Sequence, residues 1–132
     1  MNKIAVKSIT IHRAEGPSAL CRKTTHKNWV EAEKRIIGIR STVKHNGYDK
    51  CDFVVIFEDG ETYEGRYDAM SLASSGFGLA AHVNSWLGYN AGTMKPAHMT
   101  DKQYQESLAR SEQRNPGFAK ECKEFMEKYQ IG

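Results

Sequence analysis

Cysteine is scarce in this sequence, which has three in 132 residues, Cys21, Cys51 and Cys122, and no Cys-x-x-Cys pair. An odd number at wide spacing does not fit the framework of a disulfide-rich secreted domain, and it favours reduced thiols in a reducing compartment. The five histidines are equally scattered, without the close His and Cys spacing that a zinc site requires. We therefore expect neither structural disulfides nor a metal site.

Long hydrophobic runs are also missing. The longest uninterrupted apolar run covers residues 53–57, far short of the roughly 20 residues of a membrane span. The opening Met-Asn-Lys-Ile-Ala-Val-Lys carries charge where a secretory signal has a continuous apolar region. We expect a cytoplasmic protein without a membrane partner, and this length predicts a single domain over residues 1–132.

The net charge of +3 conceals an uneven distribution. Residues 1–50 contain 11 Lys and Arg against 4 Asp and Glu, whereas residues 51–68 contain 1 against 6. Residues 69–132 nearly balance, with 7 against 6. Because local fields steer encounter more than total charge does, the basic and the acidic segment are each able to attract a partner of opposite sign.

The apolar pattern predicts an α+β fold, with a small antiparallel sheet of about three strands in β-α-β-β order and two to three C-terminal helices packed on it. Residues 3–13 are rich in β-branched side chains, and their parity slips near Lys7 and Ser8, which predicts a bulged strand. Residues 14–27 show no clean period and are expected to form a loop. Asn28 and Glu31 make a candidate capping box for a helix whose apolar stripe is Trp29, Ala32, Ile36, Ile39 and Val43.

A β-hairpin is predicted around Asp59-Gly60. Residues 51–58 are apolar on both faces, as in a central strand, and residues 61–68 alternate behind the turn. Asp-Gly is the preferred dipeptide of a two-residue type I′ turn. That turn pairs Ile56 with Tyr63, Val54 with Gly65 and Phe53 with Arg66, and it predicts a core face of Val54, Ile56, Tyr63 and Tyr67.

The C-terminal half shows helical spacing in three places. The first helix has an apolar stripe of Leu79, His82, Val83, Trp86 and Leu87. Thr100 is a candidate N-cap for a helix from residue 101 to about residue 114, and Pro116 suits the first turn of a last helix that ends near Tyr129. The stripe of the last helix is Phe118, Cys122, Phe125, Met126 and Tyr129.

No complete catalytic motif is present, so the sequence predicts no catalytic residue and no cofactor. Ser75-Gly76-Phe77-Gly78 precedes a helix, but it lacks the Lys-Ser/Thr of a P-loop and the third glycine of a dinucleotide fingerprint. A tight turn is the favoured interpretation. A nucleotide-acting enzyme stays open as an alternative, with His82 and His98 as the residues to test.

Two charged surfaces are candidate binding sites. Four acidic residues of the hairpin, Glu58, Asp59, Glu61 and Glu64, would suit a basic groove on another protein. Four basic residues of the first segment, Arg13, Arg22, Lys23 and Lys27, would suit nucleic-acid phosphates. Trp29 lies nearby and is able in principle to stack on a base, although its place in a helical stripe favours burial.

The hairpin region also carries a family resemblance. The stretch Gly47-Tyr48-Asp49-Lys50-Cys51-Asp52-Phe53, together with residues 57–68, resembles a large polyvalent-protein-associated domain of phages and conjugative elements. The likeness continues through the helix with His82, through residues 95–100 and through the Asn115-Pro116 helix, and so covers about residues 47–129.

This resemblance implies a mobile genetic element in a bacterium, where such small proteins inhibit host defences. We expect a non-enzymatic inhibitor, such as an anti-CRISPR protein, that binds a host defence protein or ribonucleoprotein complex. A nucleic-acid-binding accessory protein of a mobile element is the alternative. The resemblance supplies no catalytic residues.

Overall fold

The computed structural model describes residues 2–13, 23–42, 50–68 and 78–132, with side chains omitted for residues 13, 37–42, 50 and 68. These ranges contain four strands, β1 (Val6–Arg13), β2 (Thr24–His26), β3 (Lys50–Phe57) and β4 (Thr62–Asp68). They also contain four helices, α1 (Trp29–Thr42), α2 (Leu79–Ala91), α3 (Asp101–Arg114) and α4 (Phe118–Lys128). The α+β class and the three helices that follow the sheet are confirmed.

The sheet is antiparallel, with strand order β2-β1-β3-β4. The predicted bulge is present, because the pairing of β1 with β3 shifts between Val6 and Ser8. Strand β2 was not predicted from the sequence, since its three residues lie within residues 14–27, for which a loop is expected. It adds to the free edge of β1, where the Oγ1 atoms of Thr10 and Thr25 lie 3.2 Å apart.

The hairpin turn is one residue longer than predicted. The Phe57 N–H donates to the Glu61 carbonyl at 2.9 Å, and the Gly60 N–H donates to the Phe57 carbonyl at 2.9 Å. Three residues therefore connect the strands, with Gly60 at φ 88°, as in a three-residue loop whose last residue is left-handed. The Asp59 carboxylate accepts from the Glu61 N–H at 3.0 Å and supports this form of the turn.

The longer turn overturns the predicted register and core face. Phe53 lies opposite Gly65, and Val54 lies opposite Glu64. A one-residue slip moves a strand's whole side-chain set to the other face, so Val54 and Ile56 are not core residues. The buried residues of β3 are Cys51, Phe53, Val55 and Phe57. On β4 the prediction for Tyr67 is confirmed, because it is 3% exposed, and Tyr63 is partly buried against the same core.

Helices α1, α2 and α4 cover this face of the sheet, and their buried side chains join one core cluster with it. The Asn28 Oδ1 atom accepts from the Glu31 N–H at 2.9 Å, so Asn28 caps α1 as predicted. Trp29, Ala32 and Ile36 are buried. The side chains of Ile39 and Val43 lie outside the described part of the molecule.

Helix α3 begins as predicted, and the Thr100 Oγ1 atom accepts from the Gln103 N–H at 3.1 Å. It docks on α2 through Tyr104, whose hydroxyl donates to the Tyr89 carbonyl at 2.7 Å. In α4 the predicted stripe faces the core, with Cys122 and Tyr129 buried and its other members packed against the core cluster. Among the described residues, no helix combines the length and the apolar character needed to cross a membrane.

Candidate functional site

The hairpin end forms an acidic turn made of Glu58, Asp59 and Glu61, all of them exposed residues. Asp59 is held from the C-terminal side of the molecule, because the Tyr129 hydroxyl donates to its Oδ2 atom at 2.6 Å. Lys128 Nζ lies 3.9 Å from the same oxygen. The Tyr129 hydrogen bond holds the pKa of Asp59 below its ordinary value. Asp59 therefore stays charged and fixed in place.

An aromatic cluster anchors the base of the acidic turn. The Phe57 ring lies 4.4 Å from the Tyr129 ring and 5.6 Å from the Phe125 ring, measured between centroids. Burial, followed by the Asp59 hydrogen bond, raises the pKa of Tyr129 to about 12. Tyr129 therefore remains a neutral hydrogen-bond donor at physiological pH.

The chain after α4 is fastened to the start of β1. The Ile4 N–H donates to the Lys128 carbonyl and the Gln130 N–H donates to the Ile4 carbonyl, both at 2.8 Å. On the other side of this segment, Trp29 Nε1 donates to the Gln130 carbonyl at 3.4 Å. Tyr129 is thus fixed by backbone bonds on both of its flanks, and it transmits that order to Asp59.

The four predicted acidic residues do not form one cluster. Glu58, Asp59 and Glu61 lie together at the turn, whereas Glu64 lies on β4 opposite Val54 and points to the face of the sheet away from α1, α2 and α4. Three strand residues span roughly 10 Å. The candidate surface therefore consists of the acidic turn, and Glu64 belongs to a different face.

The predicted basic residues are only partly described. Lys23 and Lys27 are exposed on the two flanks of β2. Arg13 ends β1 and is described by its backbone alone, and Arg22 lies outside the described ranges. Trp29 is 6% exposed, so its ring is core and offers no face to a base, in agreement with its position in the helical stripe.

The two histidines of the enzyme alternative have unlike surroundings. His82 packs edge-on against Tyr67, with 4.3 Å between ring centroids, and burial lowers the pKa of its imidazole. His98 is exposed and, with Met99, Gln103, Glu106 and Arg110, lines a shallow groove of about 320 Å³. His82 belongs to the packing between β4 and α2, whereas His98 lies in the segment that connects α2 to α3.

The glycine-rich string has its last residue, Gly78, at the N-cap of α2. The remainder of the string lies outside the described ranges. The Leu79 N–H at this helix start donates to Glu33 Oε1 of α1 at 3.1 Å. A carboxylate from the same chain thus occupies the position where the phosphate hypothesis would place an anion.

Sequence reasoning missed two charged features. On the face of the sheet away from α1, α2 and α4, Arg66 Nε donates to Asp52 Oδ1 at 2.7 Å. The observed register places these two residues opposite each other, so the correct turn length would have revealed the pair. The second feature is Arg35 of α1, whose Nε and Nη2 atoms are buried. Within the described ranges, no group of three His, Cys, Asp or Glu side chains is arranged to hold a metal ion.

Comparison with known proteins identifies no relative: no family model matches this chain, and neither does a curated protein or a solved structure.

Proposed function

We propose that this protein is a non-enzymatic inhibitor from a bacterial mobile genetic element. It acts in the host cytoplasm on a defence complex of the CRISPR effector type, and its acidic turn docks in a basic, nucleic-acid-binding groove of that complex. The observation that carries the proposal is the fixed position of Asp59 at the tip of the hairpin, where its Oδ2 atom lies 2.6 Å from the Tyr129 hydroxyl.

Fixing the turn matters because a flexible acidic loop loses conformational freedom when it binds. Here the turn is already ordered by the Asp59 hydrogen bonds and by the aromatic packing of Phe57. Glu58 and Glu61 flank Asp59 and remain exposed. A rigid negative projection of this kind gives specificity and a fast association rate with a positive groove.

The test is a plasmid-interference assay in bacterial hosts that each carry one CRISPR effector complex. The wild-type protein is expected to restore recovery of a targeted plasmid in at least one host. The double reversal Glu58→Lys and Glu61→Lys should abolish that recovery, because each reversed charge weakens binding by about tenfold or more. Asp59 is left intact, since it holds the turn.

A matched control reverses two exposed glutamates on the C-terminal helices, Glu106→Lys and Glu124→Lys. The control has the same net charge as the test variant and should inhibit as the wild type does. Inhibition that survives reversal of the acidic turn would overturn its role. If the wild type inhibits nothing and instead binds DNA or RNA with strong salt dependence, the nucleic-acid-binding alternative replaces the proposal.

A further inference from the structure

The guanidinium of Arg35 on α1 has two buried nitrogen atoms, Nε and Nη2, and no described residue accepts a hydrogen bond from either. Leaving a buried donor unsatisfied is energetically costly, and more so when the group is charged. Such groups are rare in folded proteins and call for a specific partner.

The carboxylates on the same helix are committed elsewhere. Glu31 Oε1 lies 3.5 Å from Lys34 Nζ at the surface. Glu33 Oε1 accepts from the Leu79 N–H at the start of α2. Neither is a partner of Arg35.

Strand β2 packs against α1, the helix that carries Arg35. His26 Nε2 lies 2.8 Å from Thr24 Oγ1, and both side chains point to the side of the sheet that α1 covers, because they pair with Ile9 and Ile11. Burial, and secondly the charge of Arg35, lower the pKa of His26, whereas Glu31 acts in the opposite direction. Lys23 and Lys27 flank the strand and are exposed.

Arg66 of the same molecule shows which group the Nε and Nη2 donors of a guanidinium bind. Its Nε donates to Asp52 Oδ1 at 2.7 Å and its Nη2 to Asp52 Oδ2 at 3.5 Å, so one carboxylate spans both donors. Paired N–H groups with this spacing match the two oxygens of a carboxylate or a phosphate. Arg35 has the same two donors without a described acceptor.

We propose that Arg35, at the seam between α1 and β2, is the centre of an oxyanion-binding site that takes a phosphate or carboxylate group through its Nε–H and Nη2–H donors. Thr24 and His26 form the opposite wall of the site. The proposal does not depend on the acidic turn.

The experiment is thermal unfolding of the full chain in inorganic phosphate, in acetate and in chloride, at one ionic strength. Phosphate or acetate should raise the midpoint by about 5 °C or more at roughly 100 times its dissociation constant, relative to chloride. A response to phosphate alone assigns a phosphate ligand, and a response to acetate alone assigns a carboxylate. Arg35→Met should abolish the shift, whereas the control Arg114→Met, an exposed arginine on α3, should keep it.

The anion-free midpoint gives a second readout with a defined sign. Removing a buried and unpaired charge should leave the Arg35→Met midpoint at or above that of the wild type. The opposite result is an Arg35→Met midpoint below that of the wild type, together with an equal lowering by one carboxylate variant of the same chain, Glu15→Gln, Asp49→Asn or Asp68→Asn. That result would show that this carboxylate pairs with Arg35, and it would overturn the site. Midpoints in phosphate and acetate equal to those in chloride would also overturn it, as would a shift that survives in Arg35→Met.

The arginine Nε–H NMR spectrum of the wild type provides a test that does not require the Arg35→Met variant to fold. The Arg35 signal is identified by its absence from the spectrum of Arg35→Lys. It should shift on addition of phosphate or acetate, with chloride as the reference, and an unmoved signal contradicts the proposal.

Discussion

Gly65 on β4 provides a test of the hairpin register in which the sign of a stability change decides the outcome. Gly65 lies opposite Phe53, and a Cβ atom added at Gly65 would lie 2.6 Å from Phe53 Cζ and 2.9 Å from its Cε1. Phe53 is 1% exposed, so its ring cannot swing into solvent. Overpacking of this kind costs about 1–3 kcal/mol.

Without that clash, Gly65→Ala would be favourable. Alanine in a strand is ordinarily about 0.5–1 kcal/mol more stabilising than glycine, because glycine loses more backbone freedom on folding. The two effects oppose each other, and the clash is larger. We expect Gly65→Ala to lower the free energy of unfolding by about 1–2 kcal/mol.

The measurement is equilibrium urea unfolding followed by far-ultraviolet circular dichroism, with an unchanged denaturant slope as the check that only stability changes. Phe53→Leu supplies the matched background, since leucine lacks the ring atoms that the new Cβ would meet. In that background Gly65→Ala should be neutral or stabilising, which gives a coupling between the two sites of about 1–3 kcal/mol. If Gly65→Ala instead stabilises the wild type, Gly65 has open space beside it, and the Phe53–Gly65 pairing is wrong.

Two further substitutions test the contacts that hold the acidic turn and α2. Tyr129→Phe removes the hydrogen bond that depresses the pKa of Asp59. A depressed carboxyl pKa adds stability that is lost as the pH falls through it, so the variant should lose less stability than the wild type as the pH falls below about 5. Raised tyrosine pKa values act in the reverse direction, so the variant should also lose less stability as pH rises from 10 towards about 12; urea unfolding across pH measures both, and profiles that match the wild type contradict the Asp59–Tyr129 contact. Glu33→Ala removes the acceptor at the start of α2 and should cost about 1 kcal/mol in the same assay, more than Glu31→Ala on the exposed side of α1, and equal losses would count against the cap.

Local signals made much of the fold predictable. Thr100 satisfies backbone donors within the next turn, so the start of α3 depended on neighbouring residues alone. The stripe of α4 likewise follows from the helical period, and its members pack on the core. Elements specified by short-range chemistry were found with nearly correct boundaries.

The register of the hairpin could not be predicted from local signals, because β3 is apolar on both faces. With Val54 and Ile56 as apolar as Phe53 and Val55, the pattern does not choose between faces, and only the turn does. Asp-Gly is compatible with a two-residue turn and also with a three-residue loop that ends in a left-handed glycine. The contact that accompanies the longer loop comes from Tyr129, whose partner Asp59 is 70 positions away in sequence.

The candidate site was predictable in composition but not in arrangement. Sequence placed Glu58, Asp59 and Glu61 at the hairpin end, where they are. It grouped Glu64 with them, although Glu64 lies three residues farther along β4, on the face of the sheet away from the core. The unmatched donors of Arg35 have no sequence signature, since whether an arginine on a helix finds a carboxylate depends on the tertiary neighbours of that helix.

The fastening of the segment after α4 has a consequence for how the molecule folds. The bond between Trp29 and the Gln130 carbonyl joins positions 101 residues apart, and the Ile4 bonds to Lys128 and Gln130 join positions still farther apart. Closing such long loops is entropically costly and slow, whereas the β3–β4 hairpin closes locally. A ribosome-bound chain can thus pair β3 with β4 early, but its acidic tip gains the Tyr129 anchor only after residue 130 has emerged, so the hairpin forms before its tip is locked.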